Sequence, residues 1–257
     1  MMTLAAADTI AGLAKGLAVL ESFDTERQRL NATQAAERAG LSRAAARRHL
    51  LTLAHLGYLE TDGSHFWLSA RVLRLAGAYM ASSRLPRVIQ PALNRLASQT
   101  QDVYSAAVMD GDEVVIVARS AGLAPVNPLL AYGRHLGARL PAHATSTGRV
   151  LLAALPREQL AAWLRGRELR RITAHTVTAP RAFRALLARV AEQDYCVASD
   201  EHELGVHAVA VPLRMRDGRT VAALNVVLAP GRLSDAQLAI DILPRLREAA
   251  GEIRQLL

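Results

Sequence analysis

Residues 31–59 read NATQAAERAGLSRAAARRHLLTLAHLGYL, and the placement of polar caps and glycines in this stretch decides the first half of the fold. Asn31 stands where a helix N-cap would, with Gln34 three residues on, the spacing of a capping box. The spacing predicts a helix over Ala32–Ala39 and a turn at Gly40, where a side chain would obstruct the chain, with Leu41 plugging the space beyond. Ser42 then caps a second helix running to about Leu56, and Gly57 stops it. Within that helix Ala46, Leu50, Leu53 and Leu56 recur at helical spacing and are expected to be buried. Arg43 and Arg47, with Ala44 and Arg48 beside them, share the opposite face. No acid occurs between Arg38 and Leu59. Two helices around one tight turn form a helix-turn-helix, and a helix carrying arginines near its N-terminus suits a major groove, where guanidinium pairs bidentately with guanine.

Working outward, Tyr58–Thr61 and His65–Leu68 read as two short strands around a turn at Asp62-Gly63. Upstream, TIAGLAKGLAVLESF from Thr9 places Leu13, Leu17, Leu20 and Phe23 on one side of a helix expected to pack beneath the other two. Helix, helix, helix, hairpin is a winged helix, assigned to residues 9–68. The candidate contacts to double-stranded operator DNA are Ser42, Arg43, Ala44, Arg47 and Arg48, with His65 on the wing. A basic helix face is commonly just a solvated one, and the wing is what favours DNA here. Ser69–Ala81 carries Val72, Leu75, Ala76 and Tyr79 at helical spacing. It reads as a linker helix within residues 69–85, either a dimer contact or packed in its own chain.

The 257 residues are 51% hydrophobic, enough for one large core or two modest ones. A formal charge of +8 favours a polyanionic partner without choosing between nucleic acid and a membrane surface. Residues 1–84 hold ten Lys and Arg against seven Asp and Glu, so affinity for DNA would come from the arginines of residues 38–48 and not from overall charge. A single cysteine, Cys196, excludes an intrachain disulfide and fits a reducing compartment. No stretch reaches 18 apolar residues without charge, and the expectation is a cytoplasmic chain with no membrane partner.

From Pro86 strands and helices alternate. Arg87–Gln101 reads as a helix with Leu93, Leu96 and Ala97 inward. Tyr104–Met109 and Val114–Arg119 form a hairpin around Asp110-Gly111. Arg149–Leu155, Arg157–Leu164 and Ala182–Gln193 read as helices. Tyr195–Ala198, Val206–Met215 and Thr220–Leu228 read as strands, and Ser234 caps a final helix that Pro244 would kink. Residues 86–257 are therefore expected to be an α+β domain, an antiparallel sheet flanked by helices.

Four segments together resemble the IclR (isocitrate lyase regulator) family of bacterial transcription factors: GLAKGLAVLESF (12–23) with LSRAAARRHLLTLAHLGYL (41–59), FWLSARVLRLAGAYMASSRL (66–85), RLPAHATSTGRVLLAALP (139–156) and EHELGVHAVAVPLRMRDGRTVAALNVVL (201–228). The last has the family's Glu-three-Gly spacing at Glu201 and Gly205. The resemblance implies a GAF/PAS-like effector domain, a homo-oligomer (dimer or tetramer), and a small organic acid as effector. Within the family, RAAARRHLLTLAHLGY and TSTGRVLLA look most like the β-ketoadipate group, which implies regulation of a catabolic operon by an aromatic carboxylate such as 4-hydroxybenzoate or protocatechuate. Carried over position by position, effector contacts fall at Ser146 and Thr147, with Thr145 beside them, at Val206 and Ala208 on the pocket wall, and at Asn225 and Val227 on the last strand. Ser199 stands where relatives often carry Asp, and Val227 where many carry Ser. Both departures make the pocket less acidic and more apolar, favouring a partly hydrophobic monoanion over a small hydroxy acid. Arg134 and His135, in a stretch longer than in that group, either meet a carboxylate or sit in solvent.

The residues themselves leave Thr145-Ser146-Thr147-Gly148 open to two readings. They merely cap the helix that follows, or their hydroxyls and free amides converge on an anion at its positive end. A regulator of another keto or hydroxy acid remains the nearest alternative, and a hydrolase carrying a DNA-binding module the alternative of another class. No GxSxG, GxxxxGK[ST] or HExxH motif occurs, so no catalytic residue and no cofactor is expected. His202 and His207 lack the tight ligand spacing of a metal site, and no metal is expected. His143 reads as a hydrogen-bonded core histidine.

Overall fold

In a computed structural model of the chain, residues 8–24, 27–120, 135–228 and 234–257 are described. They fall into two units, Met1–Ser82 and Ser83–Leu257.

The first unit is a trihelical cluster with a hairpin. Helices α1 (Ala11–Leu20), α2 (Ala32–Ala39) and α3 (Arg43–His55) precede strands β1 (Leu59–Thr61) and β2 (Phe66–Leu68). The capping box forms as its residues dictate. Asn31 Oδ1 accepts the N–H groups of Thr33 and Gln34, each at 3.0 Å, while the Asn31 N–H donates to Gln34 Oε1 at 2.9 Å. Gly40 ends α2 with φ +64°, the left-handed conformation that glycine tolerates best. Ala46 and Leu50 of α3 are fully buried against Val19, Leu30, Ala35 and Phe66. Two expectations fail. Leu13 and Leu17 are 62% and 47% exposed, because α1 turns Val19 inward and the chain beyond it buries Phe23. Leu56 is exposed as well: α3 ends at His55, and Leu56 caps it where the chain reverses into Gly57. A 3-10 turn (Ala70–Val72) leads into α4 (Leu73–Ser82), none of whose residues is buried.

The second unit is a six-stranded antiparallel sheet between two helical layers. Its strands are β3 (Val103–Asp110), β4 (Glu113–Arg119), β5 (Arg139–Pro141), β6 (Cys196–Ser199), β7 (His207–Arg214) and β8 (Thr220–Leu228), in the spatial order β5-β4-β3-β8-β7-β6. Successive side chains point to opposite faces. Tyr104, Ala106, Val209, Val211, Leu224 and Val226 therefore pack on α5 (Arg84–Thr100) and α10 (Leu243–Leu256). Ala107, Ala210 and Ala223 face the other way, onto α6 (Ser146–Ala153) and α8 (Pro180–Gln193). The lone α7 (Arg157–Leu164) sits beside this second layer through Leu160 and Trp163.

Helix α5 begins earlier than expected and runs through two prolines. Pro86 lies in its first turn, where the missing N–H costs nothing, and Pro91 is carried inside. At the C-terminus the short α9 (Asp235–Gln237) continues through a π turn (Leu238–Ile242) into α10, and Pro244 falls in the first turn of α10. The proline thus sits where a helix begins, and the irregular turn replaces the expected kink.

Candidate ligand pocket and nucleic-acid interface

The strand alternation that sends Leu224 and Val226 to one core sends Asn225 and Val227 to the other face, beside Ser105 and Ala107 of β3 and Ala208 of β7. These side chains, with Ile116, Leu140, Ala144, Ala198 and Val206, line a cleft together with Thr145, Ser146 and Thr147. Helix α6 starts at Ser146, one residue after Thr145, so the polar run is the first turn of the helix and not a loop before it. Thr145 is the N-cap. Its hydroxyl accepts the Gly148 N–H at 3.2 Å and donates to the Pro141 carbonyl at 3.1 Å, so its polar capacity is spent on the fold. The hydroxyls of Ser146 and Thr147, 2% and 4% exposed as residues, meet no hydrogen-bond partner among the described residues. Both residues line the cleft at the positive end of α6.

The sheet supplies a second polar point. Ser105 and Asn225 are register partners on β3 and β8, and Ser105 Oγ donates to Asn225 Oδ1 at 2.5 Å. The amide nitrogen of Asn225 then remains as a donor. The rest of the wall is apolar apart from Glu201 and His202.

Behind the cleft lies a buried ion pair. Arg149, with no exposed surface, grips Glu201 through both terminal nitrogens, and its Nε donates to the His143 carbonyl at 2.8 Å. Glu201 Oε2 also accepts the Val177 N–H at 3.1 Å, and the Thr176 hydroxyl holds the Glu201 carbonyl at 2.7 Å. The pair ties α6 to the 173–177 segment and the 200–205 loop, and of these α6 and the loop contribute residues to the cleft. His143 sits beside it, Nε2 bonded to the Arg170 carbonyl at 2.9 Å, so the proton resides on that nitrogen. Burial lowers its pKa, and neighbouring Arg149 and Arg170 add to the effect against the carbonyl bond, so the ring is neutral as its core reading implies. Burial pushes the Cys196 thiol up to about 11, which rules it out as a nucleophile at neutral pH.

The cleft brings together Thr145, Ser146, Thr147, Val206, Ala208, Asn225 and Val227 of the expected contacts. Ser199 is not among them. The pleat of β6 turns Ala198 to the cleft and leaves Ser199 paired with His207 at the strand end. Its acidic neighbour Asp200 is spent on the loop, taking the left-handed conformation (φ +60°) and accepting the Gly205 N–H at 2.6 Å. Arg134 lies outside the described residues; His135 is exposed, with Nδ1 2.8 Å from the Leu136 carbonyl. Sequence reading missed Ser105, whose partner is 120 residues away, and read Arg149 only as a helix start. The Glu-three-Gly spacing did mark Glu201, but not its partner.

On the first unit, α3 presents Arg43, Ala44, Arg47 and Arg48 to solvent, with Ser42 capping the helix by accepting the Ala45 N–H at 3.3 Å. None of the three arginines is ion-paired among the described residues. The contrast with their neighbours is informative. Arg38 is held by Asp24, and Arg29 lies 3.4 Å from Asp62 with its guanidinium 4.1 Å above the Trp67 ring. On the wing, His65 Nδ1 lies 2.9 Å from Ser64 Oγ, and N–H donation from His65 and Ser64 holds the Asp62 carboxyl down at about 2. Arg29 and Arg38 are thus committed to structure, while Arg43, Arg47 and Arg48 stay exposed on α3.

Residues 12–63 match the IclR helix-turn-helix domain, and residues 77–255 match the bacterial transcriptional regulator IclR C-terminal domain. The chain belongs to the IclR family. This IclR regulator is 49% identical over 250 residues to the Pca operon regulatory protein of Acinetobacter baylyi, covering 97% of this chain and 90% of that one. It is 50% identical over 250 residues to the p-hydroxybenzoate hydroxylase transcriptional activator of the same organism, covering 97% and 92%. The crystal structure of an IclR homolog from Microbacterium hydrocarbonoxydans complexed with 4-hydroxybenzoate is similar at a TM-score of 0.75 and 30% identity, covering 96% of this chain and 99% of that one. As in IclR regulators generally, a DNA-binding helix-turn-helix is joined to an α+β sensor domain. No helix among the described residues is long and apolar enough to cross a membrane.

Proposed function

We propose that this IclR regulator controls an aromatic-acid catabolic operon by binding a hydroxybenzoate monoanion, of the 4-hydroxybenzoate or protocatechuate kind, in the cleft of its second unit. The observation that carries the reading is the cleft's division of polarity. Two unpartnered hydroxyls at the positive end of α6 suit a carboxylate, apolar walls suit a ring, and the Ser105–Asn225 pair suits a ring hydroxyl. The relatives named for the Pca operon and for p-hydroxybenzoate hydroxylase, and the homolog bound to 4-hydroxybenzoate, support the same class.

In this reading Ser146, Thr147, Asn225 and Ser105 make the polar contacts, and Val206, Ala208 and Val227 form the walls. Thr145 shapes the site without donating to the ligand. The winged helix of residues 9–68 reads operator DNA, Arg43, Arg47 and Arg48 supplying phosphate and base contacts, Ser42 and Ala44 lying at the groove and His65 at the wing. The helix of residues 69–85 joins it to the effector unit of residues 86–257, in a homo-oligomeric, cytoplasmic regulator. Effector binding changes operator occupancy only through a preference for one arrangement of the chain over another.

The test is a thermal-shift series with 4-hydroxybenzoate, protocatechuate, benzoate and pyruvate. A saturable rise in Tm with the hydroxybenzoates, weaker with benzoate and lost in Asn225→Ala, is expected, since a ligand that binds only the folded state stabilises it. A response to pyruvate alone would discard the aromatic assignment.

A further inference from the structure

Asn225 can meet a ligand in two ways, with its amide nitrogen as a donor or with its oxygen as an acceptor, and the sheet decides between them. Across β7 its register partner is Ala210, and along its own strand Ala223 and Val227 share its face. None of these carries a polar side chain. Ser105, its register partner across β3, is therefore the cross-strand neighbour able to hold the amide. The 2.5 Å between Ser105 Oγ and Asn225 Oδ1 fits an O–H···O bond and is shorter than the usual N–H···O range, so it is the amide oxygen that faces the serine. The nitrogen is left over. Both residues are buried and line the cleft, and among the described residues that nitrogen meets no partner.

We infer that Ser105 fixes the Asn225 amide as a hydrogen-bond donor to the cleft, so that the site selects acids whose ring substituent accepts a hydrogen bond over acids whose substituent only donates one. This deepens the aromatic-acid reading and rests on it. Ser105 is a positioning residue in this role, acting through Asn225. A phenol oxygen accepts the amide N–H. An aromatic amine of nearly the same size does not, because its lone pair is drawn into the ring and its own N–H groups are set against that of Asn225. A buried donor left without an acceptor carries a penalty, and a site built around such a donor rejects the analogue that cannot satisfy it. Removing the Ser105 hydroxyl lifts the restriction, since a free carboxamide can turn and offer its oxygen to the amine.

The experiment titrates the full-length chain calorimetrically with two matched pairs, 4-hydroxybenzoate against 4-aminobenzoate and 3-hydroxybenzoate against 3-aminobenzoate, so that the substituent can reach Asn225 from either ring position. All four are monoanions at neutral pH, and the pair containing the tightest ligand is the one read. The wild-type chain is expected to bind the hydroxy acid about tenfold more tightly than its amino counterpart. Ser105→Ala is expected to bring the ratio close to one, and Ser105→Thr, which keeps the hydroxyl, to retain it. A variant that merely loosened the fold would weaken both ligands and leave the ratio in place. Should Ser105→Ala fail to fold, Ser105→Cys carries the test, its thiol being a weak donor of similar size. A wild-type ratio near one, or in favour of the amine as a reversed amide would give, overturns the inference, as does a ratio that Ser105→Ala or Ser105→Cys leaves unmoved. Wild-type binding of none of the four acids would instead remove the aromatic-acid reading beneath it, and the inference with it.

Discussion

Single residues set the form of the cleft more than its walls suggest. Gly148, in the first turn of α6, packs so closely on the backbone of Ala142 that a β-carbon there would overlap the Ala142 Cα and carbonyl. Gly148→Ala should force α6 away from the segment before it, destabilising the chain by about 1–3 kcal/mol, readable as a lowered urea midpoint in equilibrium unfolding. An unchanged midpoint would mean that the turn can yield. The same residue shows where sequence reading stops. Thr-Ser-Thr-Gly before an apolar run announces a helix N-terminus, and that much was legible. Whether a hydroxyl caps the helix or stays available to a ligand depends on which residue becomes the N-cap, and here it is Thr145 that caps while Ser146 and Thr147 line the cleft. Ser105 gave no local signal at all. It is one small polar residue in a strand, and its importance arises only from the strand that comes to lie beside it.

Elements were legible where caps and period agreed. Helices α2 and α7 and strand β8 occupy the expected residues, and α3 falls within one residue of its expected end, because Asn31, Gly40, Ser42 and Gly57 punctuate the chain at points where backbone geometry leaves few alternatives. Proline misled in both directions. It implied a late start for α5 and a kink in the last helix, whereas the first turn of a helix accommodates it without loss. Apolar period also misled at α1, where Leu13 and Leu17 repeat correctly but face solvent within this chain. The functional expectation at this scale concerns α3. Arg47→Ala removes an unpaired cation from its exposed face and should weaken specific operator binding by about 1–3 kcal/mol if Arg47 meets a guanine. Fluorescence anisotropy with operator and scrambled duplexes at fixed salt distinguishes this from a uniform loss through a phosphate contact, and no loss on either duplex would take Arg47 off the reading face.

At the scale of the whole molecule, the apolar surface left uncovered is concentrated in the first unit. Leu73, Leu75 and Tyr79 of α4 are 66%, 56% and 44% exposed, and no residue of that helix is buried. If a second copy covers this face, Leu75→Glu/Tyr79→Glu should shift the chain toward monomer in sedimentation velocity at micromolar concentration. A distribution identical to wild type would place the contact elsewhere. The strand order has a different consequence, one of timing. The centre of the sensor sheet joins residues 103–107 to residues 223–227, so the two strands carrying Ser105 and Asn225 meet only after about half the chain has been made between them. The winged helix closes through near neighbours in sequence; the sheet waits for distant ones, and contacts of long sequence separation form slowly. On a ribosome the DNA-reading unit can be complete while the cleft does not yet exist. A nascent chain that stops short of residue 223 would therefore carry the winged helix with no cleft for a ligand.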